Sequence, residues 1–314
     1  MTCLFHAPVA WCQGQKVFKI GILTASMVSP GMVPSTPIVK GFQDGLAQLG
    51  YIEGKNISIE ARATQGDSTR LPKMAAELMK SKPDLLVCFS DGCWSETQNI
   101  PMVFVQVSDP VRIGLVASLA RPGGNITGIA NLQADLTAKR LELLREIVPS
   151  LRRVLITYDP RKTEELEAVT SARSAAKRLG LQLLENAITV PSEIEPALAK
   201  LNEGGRDGIL IQSGTNLNIA GRSLEVSVSN DLPTMYPNSL WAQFGALASY
   251  GPDEYSQGRQ AAQLAHRILT GTSPRELPVE LPDRIEFVIN LKTAKRIGLQ
   301  VAKSVLVRAD RVIN

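Results

Sequence analysis

Residues 101–128 read PMVFVQVSDPVRIGLVASLARPGGNITG, and this stretch decides the fold. It predicts a buried apolar strand over residues 102–107, which breaks at once at Ser108 and Asp109. A short helix and a turn at residues 121–125 complete the stretch. A buried strand that ends in a small polar turn is typical of an open parallel sheet, where ligands bind at the carboxyl ends of the strands.

The rest of the chain alternates strand and helix patterns, which predicts an α/β fold with doubly wound parallel sheets. The patterns fall into two sets of similar size, and three extended segments link them, at residues 125–131, 248–251 and 278–283. We therefore expect two doubly wound parallel-sheet lobes joined by three crossovers, a hinged arrangement in which a few segments absorb a closure motion. The predicted first lobe comprises residues 16–128 and 249–279, the second lobe residues 129–248 and 280–314, and residues 1–15 a leader or the remnant of an export signal.

The composition is that of a soluble globular protein, with 44% hydrophobic and 20% charged residues among 314. A chain of this length suits two domains of moderate size. The net charge is only +4, and isolated basic pairs such as Lys139-Arg140 and Lys177-Arg178 predict solvated helix faces. No basic stripe for nucleic acid is present, and no apolar run approaches the ~18–20 residues that span a bilayer.

The four cysteines do not make a disulfide framework in a chain of this length. Cys88 lies in an apolar strand pattern, which predicts a small core residue. Cys93 follows in a turn, and we expect two free thiols in preference to a Cys88–Cys93 bridge. Residues 1–15 fit equally the tail of a secretory signal without its basic region and a disordered cytoplasmic leader.

The sequence offers little support for a catalytic site. The chain has two histidines, His6 in the leader and His266 within a helix pattern, so no Ser-His-Asp arrangement is indicated. It has no H-E-x-x-H or C-x-x-C for a metal and no glycine-rich nucleotide loop. We therefore expect a protein without enzymatic activity, cofactor or metal.

Small polar and aromatic residues near the strand ends of both sets form the candidate ligand site. These residues are Ser26, Ser90, Asp91, Gly92, Ser108, Asp109, Asn131, Tyr158, Asp159, Gln212, Ser213, Tyr236 and Tyr250. Such hydroxyls, carboxylates and free N–H groups can fix a small polar ligand between two lobes. We expect Asp109 to pair with an ammonium group and Tyr250 to stack on a ring or cover the ligand. The same residue types also cap helices and form turns, which is the alternative for each taken alone.

Several segments give the chain a family resemblance when they are taken together in order. They are GFQDGLAQLGYIEGKNISIE (41–60), PMVFVQVSDPV (101–111), GLVASLARPGGNITG (114–128), KRLELLREIVP (139–149), ASYGPD (248–253) and LPVELPDRIEFVINLKTAKRIGL (277–299). The chain resembles the tryptophan/tyrosine-type substrate-binding proteins of ABC importers. The resemblance implies a type I periplasmic-binding-protein fold, export to the periplasm, and a monomer that delivers a small ligand, an aromatic amino acid in some members, to a permease and its ATPase without catalysis.

The chain departs from this family between residues 89 and 101. Only eleven residues, 90–100, connect the strand that ends at Phe89 to the next strand, where a parallel crossover with its helix needs at least ~10–12. Because this segment is short, one alternative is a degenerate paralogue that folds but does not bind a ligand. A soluble ligand sensor with the same fold is a second alternative, and a doubly wound enzyme is a third.

Overall fold

The computed structural model describes residues 16–25, 36–64, 68–89, 93, 100–131, 133–201, 207–215 and 217–314. The strands within these residues are β1 (Phe18–Thr24), β2 (Ile57–Ala63), β3 (Leu85–Phe89), β4 (Met102–Val107), β5 (Ile126–Ala130), β6 (Arg153–Tyr158), β7 (Gln182–Ala187), β8 (Asp207–Leu210), β9 (Thr234–Tyr236), β10 (Ala248–Pro252), β11 (Ile285–Asn290) and β12 (Arg311–Ile313). The α-helices are α1 (Pro37–Gln48), α2 (Leu71–Met79), α3 (Gln133–Ile147), α4 (Thr163–Leu179), α5 (Ile194–Leu198), α6 (Leu217–Ser229), α7 (Ser239–Gln243), α8 (Glu254–Leu269), α9 (Leu291–Arg296) and α10 (Lys303–Leu306). None of the described helices has the length and apolarity needed to cross a bilayer.

The first sheet is wholly parallel, with the strand order β2-β1-β3-β4-β5. Strand β3 is buried on both faces because its apolar side chains alternate between two cores. Leu85 and Val87 pack with α1 and α8, whereas Leu86 and Cys88 pack with α2. A doubly covered parallel sheet brings all its strand ends to one edge.

The second sheet has the order β12-β11-β10-β9-β8-β6-β7. All its neighbouring pairs are parallel except β10 and β11, where Pro252 pairs with Ile285 in antiparallel register. Strand β11 enters the sheet from the edge at which β10 leaves it, so it must run in the opposite direction. The α/β class with two largely parallel, doubly wound sheets is confirmed, with β11 and its parallel neighbour β12 reversed relative to the other strands of the second sheet.

The chain passes between the sheets three times, after β5, after β10 and before β11. Helix α8 returns to the first sheet and lies against α1 at a backbone distance that leaves no room for a side chain. A Cβ atom on Gly258 would lie 2.0 Å from the carbonyl oxygen of Ile38, and one on Gly41 would lie 2.1 Å from that of Tyr255. The exact lobe boundaries stay a prediction, and β10, assigned to the first lobe from residue 249, pairs in the second sheet.

The helix predicted after β4 is wrong, because residues 110–120 form turns. The N–H groups of Leu115 and Val116 both donate to the carbonyl oxygen of Pro110, and Gly114 adopts a positive φ of 72°. This conformation folds the segment back on itself and ends any helical continuation.

The prediction of free thiols is also wrong, because Cys88 and Cys93 form a disulfide. Both residues are fully buried in the same cluster under α2, with Cα atoms 6.2 Å apart. Burial of Cys88 in the core is confirmed. The chain after β3 therefore turns back onto the core, and the two sulfurs meet there, which the sequence spacing alone did not reveal.

Candidate functional site

The carboxyl ends of strands from the two sheets come together in the structure. The turn after β4 contacts the start of α4, which follows β6. Arg112 carries this contact, since its Nη2 atom lies 3.6 Å from Oε2 of Glu164. Residues that follow strands in both sheets therefore lie around one cleft, as expected for a ligand site at the strand ends.

Three predicted residues of the first sheet are described. Ser108 and Asp109 follow β4, and Asn131 follows β5. The Asp109 carboxylate accepts from the backbone N–H of Arg112 at 3.0 Å and from its Nε at 3.4 Å, so it caps the turn in this structure. Asn131 is buried, and its side-chain oxygen has no partner in the described part of the chain. The other predicted residues of this sheet lie outside the described residues, namely Ser26, Ser90, Asp91 and Gly92.

At the end of β6, Asp159 is held by a neighbour. Its carboxylate accepts from Nε of Arg161 at 2.8 Å and from Nη2 at 2.6 Å. These hydrogen bonds lower the pKa of Asp159 from its ordinary value. Tyr158 is half-buried and packs on the core formed with α3 and α4.

The two remaining predicted tyrosines have different environments. Tyr236 is fully buried, and its hydroxyl donates to the carbonyl oxygen of Ala220 at 2.8 Å. Burial raises the pKa of Tyr236. The structure thus places Tyr236 in the core and not at the cleft. Tyr250 is partly exposed, with its ring edge-on to Phe287 at 6.1 Å, and lies in β10 just before the chain crosses to α8.

Arg140 is a candidate site residue that the sequence analysis missed. It was interpreted as part of a solvated basic pair, but its side chain is fully buried. Nε donates to the carbonyl oxygen of Tyr250 at 2.6 Å, and Nη2 donates to the hydroxyl of the predicted Ser213 at 3.3 Å. Burial lowers the pKa of Arg140 to about 9. The available signal was helical spacing, since Arg140 stands four residues before the buried Leu144.

Unpaired polar atoms mark the same edge of both sheets. Eleven buried side-chain polar atoms lack a hydrogen-bond partner within the described ranges, and eight of them belong to residues that end strands or begin helices at this edge. These residues are Thr36, Thr64, Asn131, Thr157, Gln212, Thr215, Asn238 and Gln257. A ninth atom is Nη1 of Arg140. An unpaired buried polar group costs about 1–3 kcal/mol, so such a concentration is typical of a surface that pairs with a ligand or water.

A second polar cluster lies where α8 begins against β4. Gln106 has a positive φ of 71°, at a bulge between Val105 and Val107, although we expected this strand to be wholly apolar. Its amide nitrogen donates to Oε1 of the buried Gln257 at 3.2 Å. Burial raises the pKa of Glu254 to about 7, against a smaller lowering by a hydrogen bond from Gln106.

Comparison with known proteins identifies relatives over nearly the whole chain. The family described as ABC transporter substrate binding protein matches residues 21–313. A curated "Tyrosine-binding protein" from Clostridioides difficile (strain R20291) is 30% identical over 268 residues, which cover 83% of this chain and 76% of that protein.

Two solved structures are each 25% identical to this chain over 95% of its length. An ABC domain in complex with L-Trp from Streptococcus pneumonia has a TM-score of 0.81 and is covered over 100% of its length. A ligand-free, open substrate-binding protein with adhesive properties from Clostridium difficile has a TM-score of 0.67 and is covered over 99%. Sugar-binding proteins of ABC transporters share the type I fold at 14–15% identity, with TM-scores of 0.61 and 0.62.

Proposed function

The chain belongs to the family of ABC transporter substrate-binding proteins, and from this premise we propose that it captures an aromatic amino acid in the cleft between its two sheets. The family consists of transport proteins and not of enzymes. Two relatives, named for tyrosine and solved with L-Trp, support this class of ligand. The observation that carries the proposal is the set of unpaired buried polar atoms at the strand ends of both sheets.

The arrangement of the two sheets supports a ligand-accepting cleft. The chain is more similar to the L-Trp complex, with a TM-score of 0.81, than to the ligand-free open structure, with 0.67, at equal sequence identity. A closed arrangement explains why so many polar atoms at the strand ends are shielded from water and still unpaired. In the liganded protein, the amino and carboxyl groups of an amino acid supply the missing partners.

The family premise extends to location and partners. The protein is exported, acts as a monomer in the periplasm or its equivalent, and delivers its ligand to a membrane permease coupled to an ATPase. The Cys88–Cys93 disulfide supports this location, because disulfides persist in oxidising compartments. The direct contacts of Ser108, Asp109 and Tyr250 with the ligand belong to the same proposal.

Isothermal titration calorimetry of the purified chain with L-Trp and L-Tyr tests the proposal. We expect saturable binding at one site per chain and no binding of L-arabinose, the ligand class of sugar-binding proteins that share the fold. Thermal unfolding checks the result, because a ligand at a hundred times its dissociation constant adds about 2.7 kcal/mol to stability. A folded protein that binds neither amino acid contradicts the proposal and favours the degenerate paralogue.

A further inference from the structure

We propose that Arg140 is the receptor for an acidic group of the ligand, so that the protein selects small organic acids and rejects their neutral analogues. This inference rests on the proposed function in one respect only, that a small molecule binds in the cleft between the sheets. The ligand class that it names, a carboxylate, does not depend on the presence of an aromatic ring or an amino group.

The first argument is the charge of Arg140. Its side chain is fully buried, and no ion pair of Arg140 exists among the described residues. Next to Ser213, a Cβ built on Gly214 would lie 3.7 Å from the carboxylate of Glu165. That carboxylate is already engaged by Nζ of Lys162 at 2.9 Å and by the N–H of Asp159 at 2.7 Å. A buried cation without a counter-charge is unfavourable, and an anionic ligand provides the missing charge.

The second argument is the incomplete set of hydrogen bonds. The guanidinium uses Nε on the carbonyl oxygen of Tyr250 and Nη2 on the hydroxyl of Ser213, and buried Nη1 has no acceptor among the described residues. The side-chain oxygen of the neighbouring Gln212 also lacks a partner in the part of the chain that the structure describes. A planar guanidinium binds carboxylates strongly, with the geometry to make more than one hydrogen bond. The unused hydrogen-bond donor of Arg140 therefore suits a carboxylate oxygen.

The third argument is position. Arg140 reaches from α3 to Ser213 in the turn that follows β8 and to the crossover strand β10. The backbone comes very close there, since a Cβ on Gly251 would lie 3.3 Å from Nη2 and 1.8 Å from the carbonyl oxygen of Pro237. This is the strand that leads from the second sheet to α8 on the first. An anion bound at Arg140 therefore sits beside the segment along which the two sheets are connected.

A purely structural clamp is the competing explanation. Such a clamp holds β10 to α3 through Nε and Nη2 alone, and its loss weakens every ligand equally because the whole cleft is disturbed. A receptor for an acid makes a different prediction, since its loss weakens acids and leaves neutral analogues unchanged. The ratio of the two affinities separates the explanations.

The test compares L-Trp with L-tryptophanamide, and L-Tyr with L-tyrosinamide, by calorimetry on wild-type protein and on Arg140→Gln. We expect the wild type to bind each acid about 10- to 100-fold more tightly than its amide, the range for hydrogen bonds to charged groups. Arg140→Gln should lose this preference, and Arg140→Lys should restore part of it. Lys139→Gln is the matched control, because Lys139 is exposed on the same helix and pairs with Glu142. Equal losses for acid and amide overturn the inference.

A second panel keeps this result separate from the proposed function. Propionate, benzoate and succinate, each with its amide, are screened by thermal unfolding of wild type and Arg140→Gln. If the aromatic amino acids fail to bind but a simple acid stabilises only the wild type, the aromatic class is wrong and the Arg140 site stands. If no acid of either panel stabilises the wild type, or if Arg140→Gln folds and is stabilised by acids equally, the inference is refuted.

Discussion

Substitution of Gly258 by alanine tests how the return helix α8 is fixed on the first sheet. The added Cβ would lie 2.0 Å from the carbonyl oxygen of Ile38 and 2.7 Å from the backbone nitrogen of Phe42. Both neighbours are backbone atoms of α1, so no side-chain rotation relieves the contact. Because real Cβ contacts start at 3.0 Å, the two helices must separate by about 1 Å.

The cost follows from overpacking, which destabilises a well-packed interior by about 1–3 kcal/mol. With about 2–4 °C per kcal/mol, the melting midpoint of Gly258→Ala should fall by about 2–12 °C. Thermal unfolding followed by circular dichroism measures this shift. The affected packing is the contact between α1 and α8, through which a helix distant in sequence packs on the first sheet.

Gly221→Ala provides the matched control. Gly221 lies inside α6, and a Cβ built there meets no atom within 4 Å. The same substitution should therefore stabilise the protein by about 0.5–1 kcal/mol, the ordinary gain of alanine over glycine in a helix. Opposite signs for the two variants support the close contact. A Gly258→Ala protein with an unchanged or raised midpoint would refute the reasoning.

Two further predictions concern a proton and a disulfide. The pKa of Glu254 is about 7 in the folded protein, against an ordinary value of 4.5. Folding therefore favours the protonated carboxyl group, and this contribution to the free energy of unfolding is lost as the pH rises from about 4.5 through 7. Urea unfolding should show the stability of wild type relative to Glu254→Gln falling by about 1–3 kcal/mol between pH 5 and pH 8. Reduction of the Cys88–Cys93 disulfide should cost about 2 kcal/mol for so short a loop, measured as a lower melting midpoint with reductant.

Each of these two predictions has its own control. A stability difference between wild type and Glu254→Gln that is constant with pH, or that grows toward alkaline pH, contradicts the raised pKa. For the disulfide, the Cys93→Ser variant should melt at the same temperature with and without reductant. If the wild type is equally insensitive to reductant under conditions that yield two titratable thiols, the bridge does not contribute to stability.

The fold could be predicted from the sequence because its signals are local. The buried strand predicted at residues 102–107 agrees with β4, and the strand predicted to end at Phe89 agrees with β3. Hydrophobic periodicity and helix-ending glycines act within a few residues, as at Gly180, whose φ is 64°. Such signals survive without knowledge of the tertiary contacts.

The candidate site was predictable only in part. The sequence located the strand ends, because a polar turn after an apolar strand is a local pattern. It could not distinguish Tyr236 from Tyr250, since both lie in short strand patterns, yet the hydroxyl of Tyr236 is buried against Ala220. The partners that decide these roles lie on other elements of the second sheet.

By itself, the sequence determined the α/β class, the alternation of two sets of strands and the polar turns at the strand ends, because these depend on periodicity and on turn residues. Only the tertiary structure decided that Arg140 is buried with no ion pair to another described residue, that Cys88 meets Cys93, and that Gly258 touches the backbone of α1. Each of these depends on what a distant segment places beside the residue. Burial and pairing depend on these tertiary neighbours, and no local sequence pattern encodes them.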